Sequence, residues 1–434
     1  MRTVVLGGGE SGTGACLLAK KLGHEVFLSD KGSLSDKYRK VLTDNRIEFE
    51  EGGHGLDKIY NAGLVIKSPG IPDDNPVVKE LRRRGVEVIS EIEFAGRHSS
   101  AKMCCITGSN GKTTTTLLIK HILDTAGNVG FSLAAQVAAD AHPLYVIELS
   151  SFQLDGMFDF RADVAVLTNI TPDHLDRYDF KYENYINSKF RILQNMRSED
   201  LFVYGYDSDA VRKKVQELDI VPAQAPFTHL DKKDCAAYMD GNRLTARESG
   251  RVFSIDKNEI SIKGRHNIYN AMCAVLACMR LGVDNEKIAE GLRSFPQVEH
   301  RLETVLVKDG VTYINDSKAT NVDSAWYALD SMTAPVVWIA GGKDKGNDYS
   351  VLYELVRKKV KALVCMGLHN EKLIESFSPL CKVFDTDNLE DAVKAARNCA
   401  EPGDVVLLSP CCASFDLFRS YEHRGEMFKQ EVRK

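Results

Sequence analysis

The sequence predicts an α/β fold in three domains, spanning residues 1–91, 92–297 and 298–434. Three observations lead there. A chain of 434 residues holds about three domains at roughly 150 residues each. Short apolar strands run repeatedly into glycine-rich or polar turns followed by helical periodicity, the alternation that builds parallel sheets. The pattern breaks near Glu91–Glu93 and again at Phe295-Pro296-Gln297, where proline and polar residues interrupt it.

The first domain opens with the strand Thr3-Val4-Val5-Leu6, which meets Gly7-Gly8-Gly9. A helical stretch over Ala15–Leu22 leads to a second strand, Val26–Asp30, and Leu64–Lys67 is a third, running into Ser68-Pro69-Gly70. In the second domain Lys102–Thr107 is a strand, a glycine loop follows, and a helix starts near Thr113. Strands at Leu144–Leu149 and Val164–Ile170 continue the pattern. From Leu201 to Ile262 the chain changes character, with short alternating runs such as Asp256–Ile262 that suit an antiparallel addition. A helix around Asn267–Leu281 returns to the core. The third domain has strands at Val311–Asn315, Val336–Ala340, Ala362–Met366 and Val405–Leu408, each followed by a loop rich in Gly, Ser or Asp.

Composition narrows the function. Hydrophobic residues at 44% and charged residues at 27% exclude a disordered chain, a fibrous repeat and a membrane protein. A formal charge of −5 supplies no global basic field for nucleic acid or anionic lipid, so any phosphate must be held by local groups. The eleven cysteines are scattered without a CxxC pair and read as small apolar residues in a reducing compartment. Met1–Gly7 turns into glycines before an apolar leader core forms, and no apolar run reaches bilayer length. The cytoplasm is the expected address, and no obligate protein partner is evident.

The strongest chemical signal is Thr107-Gly108-Ser109-Asn110-Gly111-Lys112-Thr113-Thr114, between a strand and a helix. Backbone N–H groups in such a loop face phosphate oxygens, helped by roughly half a positive charge at the helix start. Lys112 reaches the outer phosphates and the Thr113 hydroxyl suits Mg²⁺. Two residues rather than four separate Gly108 from Gly111, a departure from the general P-loop. Gly7-Gly8-Gly9-Glu10-Ser11-Gly12 fits GxGxxG, with Asp30 ending the next strand where a carboxylate can accept ribose hydroxyls. A plain tight turn explains that cluster too. Glu148 closes an apolar strand beside the phosphate loop, a place for a metal-binding carboxylate. His174, between Asp173 and Asp176, suits metal ligation or substrate orientation, or else simple exposure.

On the helix expected over Tyr182–Met196, Lys189 falls on or beside the apolar stripe of Ile186, Phe190 and Leu193. Burial would lower its pKa and free its amine for CO₂, but from spacing alone a snorkelling lysine is the better reading. In the third domain, the loops Asn315–Asn321, Gly341–Gly346 and Ser409–Asp416 all follow strands and should open on one sheet edge. Lysines and hydroxyls there describe a pocket for a small carboxylate or for phosphate. An NAD-dependent oxidoreductase built on the first glycine cluster leaves Lys112, Glu148 and Lys345 without a task; a non-catalytic nucleotide switch is the other alternative.

Together these residues resemble the Mur ligase family, the ATP-dependent amide ligases of bacterial cell-wall precursor synthesis, in order along the whole chain. Glu148–Leu154, Asp316–Asn321 and Ser409–Gly425 are most similar to the members that join D-glutamate to UDP-N-acetylmuramoyl-L-alanine. The resemblance implies a Rossmann-like N-terminal domain for the UDP substrate, a central P-loop ATPase domain and a C-terminal Rossmann-like domain for the amino acid. It implies that ATP converts the substrate carboxylate to an acyl phosphate, which the D-glutamate amine attacks. ATP and Mg²⁺, two ions by family habit, are the implied cofactors, with no nucleic acid and no membrane insertion.

Carried over by residue, the resemblance gives ATP to Gly108, Asn110, Gly111, Lys112, Thr113, Thr114, Asn270, Arg301 and Asp316. It gives metal to Thr113, Glu148, His174 and Lys189, the last as a carbamate, and makes Lys112, His174 and Lys189 the catalytic set. Glu10, Ser11, Asp30, Ser68 and Gly70 fall where the family binds uridine diphosphate. Lys318, Thr320, Lys345, Ser414, Phe415 and Tyr421 fall at the D-glutamate pocket, Tyr421 standing where relatives often carry Phe.

Overall fold

Strands β1 (Arg2–Leu6), β2 (Glu25–Asp30), β3 (Glu48–Glu51), β4 (Leu64–Lys67) and β5 (Glu87–Ser90) form a parallel sheet in the order β3-β2-β1-β4-β5. A computed structural model describes residues 1–123, 127–128 (backbone only), 132–139 and 142–434. β1 and β4 are buried on both faces, as expected where helices cover a parallel sheet. The helix Glu10–Lys21 starts at the glycine cluster itself, five residues before the expected Ala15. A Cβ on Gly12 would collide with the Gly7 carbonyl, so this helix packs against its own loop only with glycine there.

A second sheet runs β14-β13-β12-β11-β10-β9-β6-β8-β7. Its strands are β6 (Lys102–Thr107), β7 (Gly127–Asn128), β8 (Leu144–Glu148), β9 (Val164–Leu167), β10 (Leu201–Gly205), β11 (Ala223–Phe227), β12 (Ala237–Asp240), β13 (Arg243–Glu248) and β14 (Arg251–Asp256). Pairing is parallel from β7 through β12, and antiparallel only within β12–β14. The antiparallel addition therefore exists but is shorter than Leu201–Ile262, and the run Asp256–Ile262 is not a strand. Asp256 ends β14 and turns the chain, its carboxylate accepting from Asn258 N at 2.8 Å and its carbonyl from Glu259 N at 3.0 Å.

The helix expected over Tyr182–Met196 stops at Phe190 and passes into a 3₁₀ turn, Arg191–Leu193. Gln194 and Asn195 then donate to the Met157 and Phe160 carbonyls at 3.1 Å each, and Asn195 has φ +63°. Long-range side-chain bonds end the helix there. The helix Glu91–Arg97 begins where the first domain was expected to close. Its buried Glu91 accepts from Ser132 Oγ and Ala134 N at 2.6 Å each, and Glu93 accepts the N–H groups of Phe158, Asp159 and Phe160.

The third sheet, β15-β16-β20-β17-β18-β19, comprises β15 (Glu303–Lys308), β16 (Val311–Asn315), β17 (Val336–Gly341), β18 (Val360–Met366), β19 (Lys382–Thr386) and β20 (Val405–Cys411). Only β15 is antiparallel to its neighbour. Trp338 and Phe377 anchor a core on one face, and Ile339 and Phe428 anchor another on the opposite face. The chain divides into two compact units, Met1–Ile260 with Asn267–Phe295, and Ser261–His266 with Pro296–Lys434. Among the described residues no helix is long and apolar enough to cross a membrane.

Candidate active site

In the first unit, β6 delivers the chain into Gly108–Gly111 and the helix Lys112–Leu123 follows at once. Gly108 has φ +143° and Gly111 φ +86°, and a Cβ on Gly108 would strike Thr168 Oγ1. The loop is held from behind by the end of β9. Ser109 N donates to the Asn169 carbonyl at 2.9 Å and Asn110 N to Asn169 Oδ1 at 3.0 Å. Thr168 Oγ1 and Asn169 Nδ2 both donate to the Asn110 carbonyl, at 2.6 and 3.1 Å. Asn270 reaches the same region, its Oδ1 accepting from Thr115 Oγ1 at 3.2 Å. Thr113 and Thr114 are buried at the helix start.

Two lysines meet at one carbonyl. Lys112 Nζ donates to the Gly108 and Ser109 carbonyls at 2.9 Å each. Lys189 Nζ donates to Gly108 O at 3.0 Å and Thr107 Oγ1 at 3.2 Å. Lys189 is only 2% exposed, which overturns the snorkelling reading. Burial pushes its pKa far down, and the charge of Lys112 adds to that, against the pull of Asp173, Glu148 and Asp155. The structure thus brings Lys112, Glu148 and Asp173 within electrostatic reach of Lys189. His174 sits at φ +53° with its ring edge-on to Phe152, the ring centroids 5.2 Å apart, and Asp173 3.6 Å from its Nε2.

The residues carried over to the UDP substrate surround the first glycine cluster. Asp30 Oδ2 accepts from Gly8 N at 2.5 Å and Oδ1 from Gly32 N at 2.7 Å, so the carboxylate's first task is to shape the loop rather than to wait for ribose. Glu10 accepts from Lys37 Nζ at 3.1 Å and Tyr38 OH at 3.0 Å, and Ser11 is half-buried. Ser68 packs against Gly7, which needs its φ of +92° and its missing Cβ for that approach. Gly70 follows, with Arg177 Nη1 3.5 Å from its carbonyl.

In the second unit the loops after β16, β17 and β20 are knitted together by an arginine that the sequence reading left without a role. Arg424 is fully buried, and its guanidinium donates to the carbonyls of Ser317, Gly341 and Cys412 and to Ser317 Oγ. Burial brings its pKa down to about 10. Ser414 is buried, Lys318 lies 5.0 Å from the Tyr421 ring, Thr320 is half-buried, and Lys345 and Phe415 are exposed. Asp316 accepts from Ser409 Oγ at 2.9 Å and Leu302 N at 3.2 Å, and burial pushes its pKa up to about 7. Arg301 Nε is buried with no hydrogen-bond partner among the described residues, a donor awaiting an acceptor.

Sequence reasoning missed the Thr168–Asn169 buttress, Arg177 and Arg424. These residues act through partners far along the chain, which no local pattern reveals.

Three family profiles match the chain: the MurD N-terminal domain over residues 2–77, the Mur ligase middle domain over 106–278, and the Mur ligase glutamate ligase domain over 300–412. The UDP-N-acetylmuramoylalanine–D-glutamate ligase of Bacteroides fragilis is 52% identical over 443 residues, covering 100% of this chain and 99% of the relative. The protein of the same name from Porphyromonas gingivalis is 49% identical, covering 99% and 98%. Among solved structures, UDP-N-acetylmuramate-alanine ligase from Thermotoga maritima aligns with a TM-score of 0.63 at 19% identity, covering 100% and 99%. A pseudomurein peptide ligase from Methanothermus fervidus aligns with a TM-score of 0.63 at 18% identity, covering both chains fully.

Proposed function

The chain belongs to the Mur ligase family, and we propose that it joins D-glutamate to UDP-N-acetylmuramoyl-L-alanine at the expense of ATP, through an acyl phosphate. The convergence of Lys112 and buried Lys189 on the Gly108 carbonyl, under a loop that only glycine can form, is the observation that carries this reading.

A carboxylate is a poor electrophile, and phosphorylation gives it a leaving group. The work left to the protein is to gather anions and offset their repulsion. The N–H groups of the Gly108–Thr114 segment and the Lys112 ammonium would hold the ATP phosphates, with Asn270 of the same unit toward the nucleoside; in the second unit, the family resemblance gives ATP to Arg301 and Asp316. Asp316, its pKa pushed up to about 7 by burial, can carry a proton in the neutral range and then donate as well as accept. The residues present suit Mg²⁺: Thr113 offers a hydroxyl, Glu148 a carboxylate at a strand end, and His174 an imidazole. When bound, the ion neutralises phosphate charge. Lys189, whose burial favours the neutral amine, fits carbamate formation, which would turn a buried cation into an oxygen ligand.

We assign residues 1–91 to the UDP substrate through Glu10, Ser11, Asp30, Ser68 and Gly70, and residues 92–297 to ATP. Residues 298–434 are assigned to D-glutamate through Lys318, Thr320, Lys345, Ser414, Phe415 and Tyr421. The eleven free cysteines support the cytoplasm as the place of the reaction. The test supplies UDP-N-acetylmuramoyl-L-alanine, ATP and a panel of amino acids and follows ADP and ligated product. D-Glutamate is expected to be the preferred acceptor. Preference for another amino acid, or ADP release indifferent to any, overturns the proposal.

A further inference from the structure

Arg177 closes the 3₁₀ turn Leu175–Arg177 that follows His174, and neither the motifs nor the proposed reaction gives it a task. Its guanidinium lies over the Phe152 ring, 4.4 Å from the centroid, and its Nη1 is 3.5 Å from the Gly70 carbonyl. Phe152 stands four residues after Glu148 and meets the ring of His174 edge-on at 5.2 Å. One guanidinium therefore touches the loop assigned to the UDP substrate and the segment beside the phosphate-transfer residues.

Among the described residues Arg177 pairs with no carboxylate. Below the same loop Lys67 Nζ donates to the Ile71 carbonyl at 2.6 Å, and Arg82 shares Asp73 with it, at 2.9 and 3.5 Å respectively. Arg177 adds a further positive charge within electrostatic reach of Lys67. An arginine desolvated on one side by an aromatic ring, aimed by a carbonyl and left without a counter-ion is arranged for a planar or bidentate oxyanion.

We propose that Arg177 is a substrate-binding residue, taking an oxyanion of the UDP-linked substrate: its diphosphate or its terminal carboxylate. The inference rests on the function proposed above. Calorimetric titration of the full chain with UDP, UDP-N-acetylglucosamine and UDP-N-acetylmuramoyl-L-alanine tests it, using wild type, Arg177→Ala, Arg177→Met and Arg177→Lys. Methionine keeps the apolar cover on Phe152 and removes the charge, and lysine keeps the charge without the planar fork. Loss of at least about tenfold in affinity is expected for the alanine and methionine variants, with partial recovery in lysine. Weakening of all three ligands assigns the diphosphate; weakening of the last alone assigns the carboxylate. Unchanged affinities in a variant that keeps its thermal midpoint overturn the inference while leaving the ligase reading intact. Failure of wild type itself to bind any of the three would instead overturn the function on which it rests.

Discussion

Lys189 has a hydroxyl and a carbonyl as its hydrogen-bond partners, and Lys112 bonds the same carbonyl. Two ammonium groups at one oxygen repel, and the buried one yields first, because burial penalises its charged form most. The sign fixes a chemical expectation: burial and the neighbouring Lys112 charge favour the neutral amine of Lys189, the form that takes up CO₂. Lys189→Ala is expected to cut ligation by about two orders of magnitude and to recover partly when short carboxylates such as formate or acetate are added. Absence of any rescue leaves the carbamate unsupported. Lys112→Ala is expected to abolish turnover without rescue, because no carboxylate replaces a cation. Retained activity there removes the phosphate-loop assignment. The two neighbours are thus separable by one kinetic assay, even though they share a hydrogen-bond acceptor.

At the scale of elements, the phosphate loop is a strand end, four residues and a helix start, and its shape depends on backbone that L side chains resist. Gly108→Ala has to relieve both a φ of +143° and a collision with Thr168 Oγ1. The variant is expected to lose most ATP affinity with a fall of a few degrees in thermal midpoint, measurable by nucleotide titration and scanning fluorimetry. Full nucleotide affinity in Gly108→Ala would show that the loop tolerates a different path. This element was legible in the sequence because its signals are local: apolar strand, glycines at fixed spacing, Lys-Thr opening a helix. The edge strands were not legible. β3 is Glu-Phe-Glu-Glu, a polar segment whose pairing comes from a neighbouring strand rather than its own propensity, and β15 has a Thr-Val-Leu-Val centre but only four residues between its charged ends. The end of the Tyr182–Phe190 helix was hidden for a similar reason, since the carbonyls that capture Asn195 lie some 35 residues upstream.

For the whole molecule, strand order explains why so much of the candidate site could be placed before its geometry was known. Parallel strands share a carboxyl edge, so the loop after each strand arrives on the same side of its own sheet. What sequence could not supply were the buried groups that join one loop to another, such as Arg424 and Glu91, since burial is a property of the assembled chain. Glu91 carries a consequence for stability. Burial pushes its pKa up to about 7, against the hydrogen bonds from Ala134 N and Ser132 Oγ. Nearby Glu93 goes the other way: burial raises it, but three backbone N–H groups and Arg97 bring it below its ordinary value. Between about pH 4.5 and 7 folded Glu91 binds a proton that the unfolded chain releases, so its contribution falls as pH rises through that window, by about 3 kcal/mol in all. Glu91→Gln keeps an acceptor for Ser132 and Ala134 and removes the ionisation. Its urea midpoint is therefore expected to exceed that of wild type at pH 8 and to converge with it at pH 4.5. A midpoint difference that does not change between these pH values would mean that Glu91 does not titrate across this range in the folded protein.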